Sequence, residues 1–197
     1  MLLMCSSCAT GQVHVPDRTC IQNDLSKALT ILTTAKRVHQ DQSFDSVRLT
    51  IRIIDKSSKR LLQEISLIAP DLYAEDYTQC RLVRSYSTGK DARKKVVDND
   101  YGDIIVADLN FDSREDLAVK TENNNGGTDY TFYTQTKDKK FVLDRYLTDS
   151  VYSFPWKINS NKRTLTTMVR AGVGDALTTY HLDSRTNRWA RVKRRVI

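Results

Sequence analysis

Between Asp108 and Asp116 the chain places oxygen-bearing side chains at positions 1, 3, 5 and 9 of one short stretch: Asp108, Asn110, Asp112 and Asp116. That spacing lets a curled loop wrap one hard cation with several oxygens at roughly 2.3–2.6 Å, the Arg114 carbonyl and water completing the shell. Calcium is the cation this donor set suits. Clustering Asp108, Asp112, Glu115 and Asp116 also creates mutual repulsion that a cation relieves. The competing reading is a polar turn without metal, in which the aspartates accept hydrogen bonds from nearby backbone amides.

The loop is not an EF-hand. Position 12, which would supply a bidentate Glu, is Val119, and both flanks read as strands. It resembles instead the strand-loop-strand calcium motif of integrin-type repeats, in a single copy that argues against a propeller. Position 6 of such loops is normally Gly, because the sharp turn needs positive φ; here it is Ser113.

Other catalytic and phosphate-binding patterns are missing. His14, His39 and His181 share no motif, and there is neither a Gly-x-Ser-x-Gly elbow nor a His-Glu-x-x-His zinc helix. Gly172-Val173-Gly174 lacks the Lys and the hydroxyl residue of a phosphate loop and reads as a hairpin turn. A glycosidase needs one carboxyl held neutral in an apolar cleft, whereas a cation in the 108–116 loop would keep its carboxylates ionised. The expectation is a protein that is not an enzyme.

The elements that must position the loop read as β-rich. Val47, Leu49, Ile51 and Ile53 alternate with Arg48, Thr50 and Arg52, the pattern of a half-buried strand, and Leu61 to Ile68 returns as its partner, giving a hairpin over 46–70. Short strands are expected near 103–107, 117–121, 130–136, 141–145, 154–158, 164–170, 176–182 and 188–192, separated by turn-forming clusters such as Asp183-Ser184-Arg185-Thr186-Asn187. Trp156, Trp189, Phe154 and Tyr180 read as core residues of the C-terminal sheet. Leu25, Ala28, Leu29, Leu32 and Ala35 fall at helical spacing behind Asn23 or Asp24 as cap, predicting an N-terminal helix. The fold class expected is thus α+β and β-dominated: an antiparallel sheet or barrel-like domain over 23–197, its 96–197 part carrying the loop, after a signal-like segment over 1–22.

That leading segment, Met1-Leu2-Leu3-Met4-Cys5-Ser6-Ser7-Cys8, looks like the end of a secretory apolar region running into a lipoprotein cysteine, with Cys8 favoured for lipidation by the small residues before it. A short frayed terminus is the plain alternative. Cys20 and Cys80 then remain as an even pair able to form one disulfide, which suits an oxidising compartment. The expected location is the periplasm or the outer membrane and cell surface, with membrane contact only through a lipid anchor. A formal charge of +7 favours anionic partners, an envelope polymer among them. The basic run from Arg191 to Arg195 lacks aromatics on the same face and reads as a charge-protected edge strand, which argues against nucleic acid.

From about residue 96 onward the chain resembles a family of exported bacterial calcium-binding proteins that act as immunity partners of lysozyme-like peptidoglycan hydrolase effectors. The likeness rests on Asp103-Ile104-Ile105-Val106-Ala107, the loop itself, Leu117-Ala118-Val119, Asn124-Asn125-Gly126-Gly127-Thr128-Asp129-Tyr130 and Phe141-Val142-Leu143. It implies a structural calcium ion and a rigid β scaffold whose loops plug a hydrolase cleft, a lysozyme inhibitor rather than a catalyst. By position it makes Gly126, Gly127 and Tyr130 candidate partner contacts, although Tyr130 also suits an inward place on its strand. The alternative function is a cell-surface adhesion or glycan-binding module with the same structural calcium.

Overall fold

The computed structural model describes residues 19–39, 45–69, 85–88, 104–124, 127–172 and 174–197. They form three sheets. The first is an antiparallel meander of β1 (Thr19–Gln22), β2 (Leu29–His39), β3 (Asp45–Asp55) and β4 (Leu61–Ala69). The second runs in the order β5 (Ser85–Thr88), β6 (Ile104–Ala107), β7 (Asp116–Asn124), β8 (Gly127–Gln135) and β9 (Phe141–Leu143); β5 joins β6 in parallel and the other pairs are antiparallel. A short helix, α1 (Arg145–Ser150), leads to the third sheet, an antiparallel meander of β10 (Lys157–Asn159), β11 (Thr164–Ala171), β12 (Gly174–Leu182) and β13 (Trp189–Val196). No helix among the described residues is long and apolar enough to cross a membrane.

The β-dominated class expected from the sequence is what forms, but the C-terminal half divides into two sheets, and no N-terminal helix is present among the described residues. Leu29 to His39 is instead an eleven-residue strand paired in unbroken register with β3, from Leu29↔Asp55 to His39↔Asp45. The helical spacing of Leu25, Leu29 and Leu32 competes with a period of two in Leu29, Ile31, Thr33 and Ala35, all buried. The β-branched run Thr30-Ile31 and Thr33-Thr34 suits a pleated strand, and a complete partner strand decides the matter. Asn23 lies in the β1–β2 connection rather than capping a helix; its Oδ1 accepts from the Thr30 hydroxyl at 3.0 Å.

Two cores lie on opposite faces of the central sheet. Leu29, Ile31, Leu49, Ile51 and Ile53 of the first sheet pack with Ile104, Val106, Leu117 and Val119. The alternate residues Ile105, Ala107 and Ala118 join Tyr130 and Phe132 against Leu147, Val151 and Phe154, and against Leu165 and Tyr180 of the third sheet. Strand side chains alternate between faces, so a strand covered on both sides must be apolar throughout, as β6 is.

Polar ties hold the layers together. Lys139 Nζ, in the β8–β9 turn, donates to Asp55 Oδ2 at 2.7 Å. Gln63 of β4 bonds the backbone of Phe141, the first residue of β9. Cys20 is fully buried and disulfide-bonded; Cys8 and Cys80, and hence the lipidation and pairing expected of them, lie outside the described residues, as does His14. The Gly172 hairpin turn forms as read, with Gly172 at φ 65° and Ala171 paired to Gly174.

Candidate functional site

The 108–116 loop joins the central strands β6 and β7, and its shape follows from its own acceptors. Asp108 Oδ1 accepts from the Asp112 amide and Oδ2 from the Ser113 amide, both at 3.0 Å. Asn110 Oδ1 also accepts from Asp112 N at 3.1 Å, and Asp112 Oδ1 from Arg114 N at 2.9 Å. These successive side-chain turns curl the chain tightly enough that Phe111 and Ser113 take φ of 61° and 67°. Position 6 is therefore left-handed, as the spacing predicts, and Ser113 bears the steric cost that Gly avoids.

Asp116 closes the loop from beneath. Its Oδ2 accepts from Leu109 N at 2.8 Å and Asn110 N at 3.1 Å, and its Oδ1 from Gln135 N of β8 at 2.9 Å. The residue is completely buried. Burial pushes its carboxyl up to about 7 despite those three amide donors, and the Asp112 charge adds to the rise.

Each of the three sheets contributes to the loop's support. From the first, Ser26 donates its hydroxyl to Glu115 while accepting from Ala28 N and Leu29 N. From the central sheet, the Gln135 carbonyl accepts from Arg114 Nε at 2.8 Å. From the third, the Arg163 guanidinium donates at 3.3 Å to the carbonyls of Asn110, Phe111 and Leu182. Arg163 also stands 5.6 Å from the centre of the Phe111 ring, which meets Trp189 at 6.0 Å on a tilted approach.

The proposed ligand set therefore has oxygen chemistry and a backbone curl that suit calcium. Its side chains, however, are committed elsewhere: the Asp112 carboxylate is paired with the Arg114 guanidinium and accepts from Asn110 Nδ2. Among the described residues no three acidic, His or Cys groups converge on a point able to hold a metal. Binding an ion here requires Asp112 to exchange Arg114 for the cation.

The candidate partner contacts divide. Gly126 lies outside the described residues, and Gly127 opens β8 opposite Asn124. Tyr130 is only 2% exposed, with its ring 6.1 Å from Phe132 and 5.8 Å from Phe154. It takes the inward place on β8 and offers no surface to a partner.

Beside the loop opens a cleft of about 330 Å³ that the sequence did not reveal, lined in part by Asn110, Asp144, Tyr146, Asn187, Arg188 and Trp189. Asp144 caps α1 by accepting from Leu147 N at 2.9 Å. Burial raises its carboxyl pKa, offset by bonds from Leu147 N, the Trp189 indole and Tyr146 N. Trp189 thus packs near Phe111 and lines the cleft with Asp144, while Trp156, expected in the core, is half exposed. Comparison with protein-family models, curated proteins and solved structures found no match.

Proposed function

We propose that this chain is an exported, non-catalytic binding protein of the bacterial envelope that inhibits a peptidoglycan hydrolase, with calcium stiffening the 108–116 loop. The observation that carries the metal reading is Ser113 at φ 67°, with Asp108 gripping the amides of Asp112 and Ser113. A non-glycine residue is strained there, as Phe111 is two positions earlier, and position 6 is where a calcium loop requires the turn. Asp108, Asn110, Asp112 and Asp116, with the Arg114 carbonyl, would hold the ion. Its charge would also offset the buried Asp116 carboxylate, which no cationic side chain among the described residues is seen to contact.

The partner reading rests on the resemblance over the strands and loops from Asp103 to Leu143. The loop's anchorage to three sheets supports it, because a surface already rigid loses little entropy on docking. Exposed Arg191, Lys193, Arg194 and Arg195 on β13 favour a target with an acidic face.

Purified protein titrated against hydrolases encoded beside its gene should abolish activity of one of them near equimolar ratio. Full hydrolase activity at large excess of the protein, for every neighbour-encoded hydrolase, rules the reading out.

A further inference from the structure

We infer that the cleft between the 108–116 loop, α1 and the β12–β13 turn is a binding site for one unit of a neutral saccharide. Its volume of about 330 Å³ lies at the small end of ligand pockets. Trp189 and Tyr146 supply aromatic surface on which the C–H face of a pyranose can lie. Asn187, Asp144 and Arg188 supply amide, carboxylate and guanidinium groups suited to pairs of neighbouring hydroxyls, while Asn110, its amide held by Asp112, forms the wall beside them.

The charge balance selects among ligand classes. Among the described residues one acid, Asp144, and one base, Arg188, line the cleft, too little positive charge to neutralise a phosphate. Leu182 is the only aliphatic residue lining it among the described residues, so a wholly apolar ligand would strand the polar groups around it. A polyhydroxyl ring with one apolar face satisfies both kinds of wall.

The site is also built before any ligand arrives. The Trp189 ring rests near Phe111, which Arg163 holds from the third sheet. Asp144 is fixed by the Leu147 amide at the start of α1. An aromatic platform already packed against a fixed neighbour loses little freedom at the moment of binding.

The two tryptophans make the test direct. Trp156 is half exposed and can be replaced, so the Trp156→Phe protein reports through Trp189 alone. Its emission is titrated with three neutral trisaccharides: cellotriose, maltotriose and the β-1,4 trimer of N-acetylglucosamine. At least one should give a saturable change with a dissociation constant on the order of millimolar or tighter. Arg188→Ala and Asn187→Gly should each weaken that binding about tenfold with an unchanged melting temperature. Both residues lie in the exposed β12–β13 turn, and Asn187 already has φ of 51°, which Gly accepts. The inference is overturned if no trisaccharide gives a saturable signal up to its solubility limit. Saturable binding that neither substitution weakens overturns it equally.

Discussion

The side-chain amide of Gln63 bonds the backbone of Phe141 in both directions: Nε2 donates to the Phe141 carbonyl at 2.8 Å, and Phe141 N donates to Oε1 at 2.7 Å. A residue of the first sheet thus stands in for a neighbouring strand at the β9 edge of the central one. Gln63→Ala leaves a part-buried donor and acceptor unpaired and should cost about 1–3 kcal/mol in chemical denaturation. A loss within error of zero would mean that water replaces the amide freely.

Acid sensitivity should trace to Asp55. Its bond with Lys139, with further bonds from Ser57 and Ser58, holds its carboxyl well below the usual carboxylate range. Because the folded value is depressed, the stabilisation is complete above the unfolded value of about 4 and is lost as pH falls toward the folded one. Lys139→Met should therefore lower the melting temperature at neutral pH and flatten its decline below about pH 4. Parallel melting curves for the two proteins across that range would remove Asp55 from the account.

Calcium should raise the melting temperature relative to chelator, because an ion bound by the native state alone adds stability, about 2.7 kcal/mol at a hundredfold excess over its dissociation constant. Asp112→Ala should abolish the rise. Identical curves in millimolar calcium and in chelator would reject the metal and leave the loop closed by its own hydrogen bonds.

Ser113→Gly tests the strain separately from the ion. Ser113 is exposed at φ 67°, so the substitution removes a steric conflict and no buried contact. Net of the extra freedom glycine gives the unfolded chain, stability should rise by about 0.5–1 kcal/mol with or without calcium. A loss of stability in chelator would show that the serine hydroxyl is needed by the fold.

Much of this arrangement is legible in the residues. Arg48, Thr50 and Arg52 between four buried aliphatics announce β3, and the oxygen spacing announces a curled loop with a left-handed sixth position. The β2 segment misleads because Leu25, Leu29 and Leu32 fall at helical spacing while Leu29, Ile31, Thr33 and Ala35 alternate, and only pairing with β3 separates the two periods. Six-residue α1 is too short to carry a periodic signal, although Asp144 as its cap is a readable cue. The roles of Arg163 and Trp189 escape sequence reading for another reason: each lies more than fifty residues from the loop residues it touches, and no local rule connects them.

The uniform apolarity of β6 leaves one problem that the strand itself cannot solve. Ile104-Ile105-Val106-Ala107 would be nearly as content shifted by one residue, since each face would still receive an aliphatic side chain. The penalty that normally forbids such slippage, a polar group driven into a core, is missing here. Asp116 restores it. Its carboxylate meets the amides of Leu109, Asn110 and Gln135 in one alignment only, and a slip would strand a buried acid with its donors displaced. The central sheet is thus indexed from outside its most hydrophobic strand, by a single carboxylate acting as a detent.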